Sequence, residues 1–149
     1  MSGAAFVSST LLHGPPLGLA SAHGAVLVGL EAHPIRVEVC CSRGPAFFQM
    51  VGLAEAVVRE ARVRVASALT TLDVLLDEHA ITVNLAPADL RKTGGALDVA
   101  IAAAILAAIG HVPPTALERI LLIGELSLDG RVRAVRGVLP LIQGARRRG

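Results

Sequence analysis

The sequence predicts a mixed α/β domain, an α+β sandwich in which a mixed sheet packs against helices. Three observations predict it. Strand-like segments come first, helical and strand periods alternate after them, and the chain is apolar enough to fill one core. Of the 149 residues, 53% are hydrophobic and 17% charged, a balance that excludes wholesale disorder. A chain of this length fits one domain and buries roughly 70% of its unfolded surface. Strands followed by alternating helix and strand favour a sandwich over a doubly wound parallel sheet.

Residues 1–24 carry Ser, Gly, Pro and His without periodicity and are expected to form a flexible leader. Ala4 to Leu12 is mildly apolar, and Ala20-Ser21-Ala22 has the small residues of a cleavage site. No Lys or Arg precedes Arg36, however, and Gly14-Pro15-Pro16 interrupts the stretch, so a secretory signal is the poorer reading. The domain proper is expected over 25–149. Ala25 to Leu30 reads as a strand. Ile35 to Cys41 alternates, with Ile35, Val37, Val39 and Cys41 on one face and Arg36, Glu38 and Cys40 on the other. The adjacent Cys40 and Cys41 point to opposite faces and cannot bridge each other. Ser42-Arg43-Gly44-Pro45 supplies a turn and Ala46 to Val51 a third strand, which together suggest an antiparallel start to the sheet.

From Leu53 the period changes. Val58, Ala61, Val65, Ala68, Leu69 and Leu72 recur at helical spacing. Glu55, Arg59, Arg62 and, less clearly, Arg64 lie off that stripe. Ala80 to Ala86 is a strand stopped by Pro87. Arg91-Lys92-Thr93-Gly94-Gly95 is a loop before an apolar helix from about Leu97 to Ile109, which Gly110 and Pro113-Pro114 end. The uncharged run Val99–Ile109 is far shorter than the ~20 residues that span a bilayer, so no membrane segment is expected. Ile120 to Leu128 reads as a strand, Asp129-Gly130 as a hairpin turn and Arg131 to Val135 as the returning strand. A short helix follows Gly137.

The candidate chemistry is sparse. A phosphate-binding Walker A loop needs Gly-Lys followed by Ser or Thr, and the single lysine, Lys92, follows Arg91. The Arg91–Gly95 loop could hold an anion at a helix N-terminus. Asp98 in the first turn already answers the helix dipole and would repel a phosphate, which favours a structural loop. The five histidines show no paired metal-ligand spacing, and no Cys-x-x-Cys occurs. No Gly-x-Ser-x-Gly occurs either, and a Ser–Lys pair could use only Lys92, which has no serine near it in sequence. Neither a catalytic, a cofactor-binding nor a metal site is therefore expected in this chain.

Net charge is +2, with thirteen arginines, six of them between Arg131 and Arg148. Arg131, Arg133, Arg136, Arg146, Arg147 and Arg148 are the candidates for phosphate contacts. Alternation puts Arg131 and Arg133 on one strand face, and a row of arginines suits backbone phosphates without reading sequence. A solvated basic hairpin is the plainer alternative.

Several segments resemble the N-terminal domain of the ComM/YifB, magnesium-chelatase-like AAA+ ATPases. They are Gly29-Leu30-Glu31-Ala32-His33-Pro34 running into Val37-Glu38-Val39; Val51-Gly52-Leu53 with Glu60-Ala61-Arg62-Val63-Arg64; Ile81 to Leu90; Gly124 to Gly130; and Val135 to Pro140. The resemblance implies a fold like the proteolytic domain of Lon. It also implies a parent protein with an AAA+ module outside this chain, using ATP and Mg, assembling as a hexamer in the cytoplasm, and driving branch migration of DNA in recombination and natural transformation. Lon proteases place their nucleophilic serine before the buried helix, where Ala96 stands, and their lysine beyond the hairpin, where Leu139 stands. Losing such a nucleophile lowers turnover around a millionfold, so peptidase activity is not expected. The sequence departs from the family at Ala54, usually proline, and at Arg43-Gly44-Pro45-Ala46, usually a Gly-Leu-Pro run. It also stops before the last strand that the resemblance implies. DNA and the AAA+ module are the expected partners, and a purely structural interaction module is the alternative.

Overall fold

The computed structural model describes residues 16–92 and 94–148. Among the described residues the fold is mixed α/β, with three helices and a mixed four-stranded sheet. Strands β1 (Pro16–Val28) and β2 (Glu31–Arg43) form a long antiparallel hairpin. Its two-residue loop starts at Gly29, φ +63°, the position at which a tight hairpin asks for glycine. Next come β3 (Phe47–Val51), helix α1 (Glu55–Thr70) and β4 (His79–Ala86). Helix α2 (Asp98–Ala108), the short strands β5 (Glu125–Leu126) and β6 (Val132–Arg133), and helix α3 (Val138–Arg146) follow.

The alternation in β2 is realised as expected. Ile35, Val37, Val39 and Cys41 are buried, while Arg36 and Cys40 face solvent. With Ile81, Val83 and Leu85 of β4 and Met50 of β3 they form the apolar face that α1 and α2 cover. On the other face Asn84 Nδ2 donates to Glu38 Oε2 at 2.9 Å and Arg36 pairs with Glu38 at 3.3 Å. Both cysteines are free, and burial pushes the Cys41 thiol up to about 11. A thiol reagent at pH 8 should therefore modify one cysteine in the native chain and the second only on unfolding. Two fast-reacting thiols would contradict this facing of β2.

Three expectations need correction. Pro16 to Gly24 are not part of a leader. They belong to β1 and pair with β2 from Ser42 to Ile35, whereas residues 1–15 lie outside the described residues. The residues that face α2 from this half of β1 are Gly18, Ala20, Ala22 and Gly24, too small to register as an apolar stripe. Their smallness is what the packing needs. A Cβ at Gly18 would overlap the Ala108 carbonyl oxygen, and one at Gly24 would lie 2.6 Å from the Leu97 side chain.

The second correction concerns β3, which does not continue the antiparallel start. The sheet order is β1-β2-β4-β3, with β3 parallel to β4. A helix between two strands lets them lie parallel in one sheet. Here α1 is that crossover, so β4 takes the place beside β2. Third, the apolar run Ile120–Leu128 is not one strand, and the returning segment pairs only at Val132–Arg133. Leu122 N–H donates to the His23 carbonyl of β1 at 2.8 Å, Gly124 bonds to Ala96 and Val99 around the start of α2, and only Glu125–Leu126 pair with β6. A segment that changes partner every two residues cannot build a continuous ladder.

The helices follow their periodicity closely. Ala61, Val65, Ala68 and Leu69 are the buried stripe of α1, and Leu72 lies past its end, exposed. Helix α2 is apolar on most sides and is buried accordingly. It stops where Gly110 takes φ +89° and His111 N–H returns to the Leu106 carbonyl at 2.8 Å. Helix α3 lies on the opposite sheet face, at the β1–β2 turn, where a Cβ at Gly144 would lie 2.5 Å from the Ala32 Cβ. Among the described residues no helix is long and apolar enough to cross a membrane.

Candidate nucleic-acid interface

The β5–β6 hairpin presents Arg131 and Arg133. Its turn is built on Ser127, whose N–H donates to the Arg131 carbonyl at 2.9 Å and whose Oγ accepts the Arg131 N–H at 3.1 Å. The Ser127 hydroxyl also donates to the Asp129 carboxylate. That bond, with the Arg131 N–H, holds the Asp129 carboxyl below the usual carboxylate range. Val132 lies against Gly124, so strand alternation leaves Arg131 and Arg133 on the other face of the hairpin. Arg131 Nε lies 3.5 Å from Asp129 Oδ2, a solvent-exposed pair of the kind that contributes little.

The other four arginines lie elsewhere. Arg136, in the turn before α3, lines a cavity of about 450 Å³ together with Gly94, Gly95, Ala96, Glu125 and Leu141. Arg146 ends α3, and Arg147 and Arg148 line a cleft beside Leu30 and Glu31. The six candidates thus occupy three places, all exposed. Among the described residues, Arg131 alone of the six makes an ion pair. Exposed Leu128, Val132, Leu139 and Ile142 are interspersed with them, a feature that the charge pattern did not reveal.

Two charged groups outside this set are internal. Asp98, whose side chain is 2% exposed, receives the fork of Arg64: Nε to Oδ2 at 2.6 Å and Nη2 to Oδ1 at 3.1 Å. It also accepts the Leu126 N–H at 3.1 Å. Burial pushes the Asp98 carboxyl up, against the opposing pull of Arg64 and the Leu126 N–H. The dipole role expected of Asp98 is thus joined by a partner 34 residues upstream. The ambiguous place of Arg64 on the α1 stripe was its only trace in the sequence.

Lys92 is buried, and its ammonium donates to the carbonyls of Pro87 at 2.6 Å, Leu90 at 3.0 Å and Gly52 at 3.1 Å. Burial lowers its pKa while Asp89 raises it. An ammonium has three donors, so this one is fully engaged in fastening the loop after β4. Thr93, the next residue of the 91–95 loop, lies outside the described residues.

The family of subunit ChlI of Mg-chelatase matches residues 37–149. The chain belongs to this ComM/YifB, magnesium-chelatase-like family. It is 44% identical over 123 residues to the uncharacterized protein YifB of Salmonella typhimurium, which covers 83% of the chain and 24% of the relative. It is 40% identical over 131 residues to the competence protein ComM of Haemophilus influenzae, covering 88% and 26%. YifB of Escherichia coli is 43% identical over 123 residues, covering 83% and 24%. The chain therefore spans about a quarter of the length of these relatives.

In this ComM/YifB-family chain the two positions singled out by the Lon comparison lie apart in character. Ala96 lines the 450 Å³ cavity, whereas Leu139 sits on α3 with 67% exposure and is not in its lining. Neither side chain can act as nucleophile or base. Glu125 and Arg136 are the charged residues of the cavity lining, which also includes the apolar Val26, Leu27 and Leu141.

Proposed function

We propose that this domain is a non-catalytic, Lon-like accessory domain of a ComM-type AAA+ ATPase, and that it contacts DNA. In the whole protein the remaining sequence supplies the ATP- and Mg-dependent motor, working as a cytoplasmic hexamer in branch migration, recombination and natural transformation. The observation that carries the DNA contact is the set of exposed arginines over 133–148 that lack a carboxylate partner among the described residues. With Arg131 they give the last elements a surface whose charge is available to phosphates. Such contacts bind backbone and release counterions, so affinity falls with salt at a log–log slope of about −0.9 per phosphate neutralised on duplex DNA.

The non-catalytic part rests on Ala96 and Leu139, and on a lysine whose donors are all engaged by carbonyls. A second reading, a module that packs against neighbouring domains or subunits without touching DNA, is favoured by the exposed Leu128, Val132, Leu139 and Ile142. Anisotropy of fluorescent forked and duplex DNA, titrated at several salt concentrations, separates the two. DNA contact predicts saturable binding that weakens steeply with salt; no binding at low salt would leave the packing module.

A further inference from the structure

We propose that Asp98 is a positioning residue that fixes the arginine-bearing hairpin to the body of the domain. The proposal rests on the reading of that hairpin as a DNA surface. By itself the hairpin is slight: two paired residues on each side, too little ladder to be stable alone. Its orientation comes from its attachments.

Those attachments converge on the start of α2. Gly124 N–H donates to the Ala96 carbonyl at 3.1 Å, and Val99 N–H donates to the Gly124 carbonyl at 3.2 Å. Two residues further, Leu126 N–H donates to Asp98 Oδ2 at 3.1 Å. The same carboxylate is gripped on both oxygens by Arg64 of α1. Asp98 is therefore where three elements meet: α1 through Arg64, α2 through its own backbone, and β5 through Leu126. Fork geometry fixes the carboxylate plane, and with it the direction from which the Leu126 N–H is received.

The far end of the hairpin has a looser hold. Gly130 lies against Thr71 at the end of α1, a Cβ there being 2.6 Å from Thr71 Oγ1, and Ser127 is tied only within its own turn. If Asp98 releases β5, the polar ties that remain among the described residues lie before the strand, in the Ala96–Gly124–Val99 exchange and the Leu122 N–H bond to the His23 carbonyl, and neither fixes the part that leads to Arg131 and Arg133. A hairpin oriented only part of the time binds with an affinity reduced by that fraction. The number of phosphates contacted when it is bound stays the same.

The test compares Asp98→Asn, Arg64→Lys and the double variant Arg131→Ala/Arg133→Ala by hydrogen exchange and by duplex-DNA anisotropy across salt. Asp98→Asn is expected to speed exchange of the Leu126 and Gly124 amides about tenfold or more, while Val39 and Val83 in the central strands keep their protection. Its DNA affinity is expected to fall by about tenfold with the salt slope unchanged. The arginine variant should instead flatten the slope by about 2. Arg64→Lys keeps the charge but loses the fork, so it should loosen the same amides, and it carries the test if Asp98→Asn does not fold. Unchanged Leu126 and Gly124 exchange in a folded Asp98→Asn, or acceleration spread evenly over the sheet in both variants, would overturn the positioning role. Selective loosening with DNA affinity intact would uphold that role and instead sink the hairpin as a DNA surface.

Discussion

Deleting residues 1–24 should abolish cooperative folding. The cut removes Pro16 to Gly24, the part of β1 that pairs with β2 from Ser42 back to Ile35. Backbone groups of β2 along this edge would be left without their sheet partners. The small-residue face that receives α2 would go with it, uncovering a helix whose Ala100, Ile101, Ala104 and Ile105 are all buried. A domain whose whole stability is about 5–15 kcal/mol cannot absorb the loss of a strand together with a helix-packing surface. Circular dichroism and thermal denaturation should show no native transition for the deletion. An unchanged transition would mean that these residues are a leader after all.

The second large effect is expected at Lys92. Replacing it with Met retains much of its apolar stem but removes every donor from the carbonyls of Gly52, Pro87 and Leu90. Bonds to a charged group contribute about 1.5–3 kcal/mol each, and a buried acceptor left unmade costs about 1–3 kcal/mol. Gly52 and Leu90 border a cleft through which water can compensate in part. A loss of about 2–4 kcal/mol follows, read as a lower denaturant midpoint at constant slope. A change below about 0.5 kcal/mol, the size of an ordinary surface substitution, would mean that the ammonium is not what holds this loop.

These two sites also mark where the sequence was legible and where it was not. The stripe of α1, the ends of α2 at Asp98 and Gly110, and the alternation of Ile35 to Cys41 were readable because each is a local pattern of apolar side chains. Gly18 to Gly24 were not. Their contribution to packing lies in having almost no side chain, so hydrophobic periodicity is silent there. The place of β3 depended on which strand α1 delivers beside β2, a choice made between distant segments. The loop after β4 was recognisable as a loop, yet the cradle of Lys92 consists of backbone carbonyls, which leave no mark in residue types. Arg64 and Asp98 were each visible, but a pairing across 34 residues is written only in the packing of α1 against α2.

The arginines form the opposite case. Their clustering over 131–148 was plain in the sequence, and all six are exposed. Their separation into a hairpin, a cavity wall and a helix end was not foreseeable from spacing. Proximity along the chain set Arg131 and Arg133 on one face, while the turn at Gly137 sent the later arginines to the β1–β2 end of the sheet. A DNA footprint on this domain is therefore expected to be distributed, with each group of arginines adding its own share of the salt dependence.

The central claim is tested most directly by the salt slope of duplex-DNA binding for the natural chain beside a variant with Arg133, Arg136, Arg146, Arg147 and Arg148 changed to Gln. If these arginines neutralise phosphates, the slope should be shallower in the variant by about 0.9 for each phosphate no longer neutralised, with the thermal transition preserved. Equal slopes in the two proteins, or a natural chain that binds no DNA at low salt, would contradict the account.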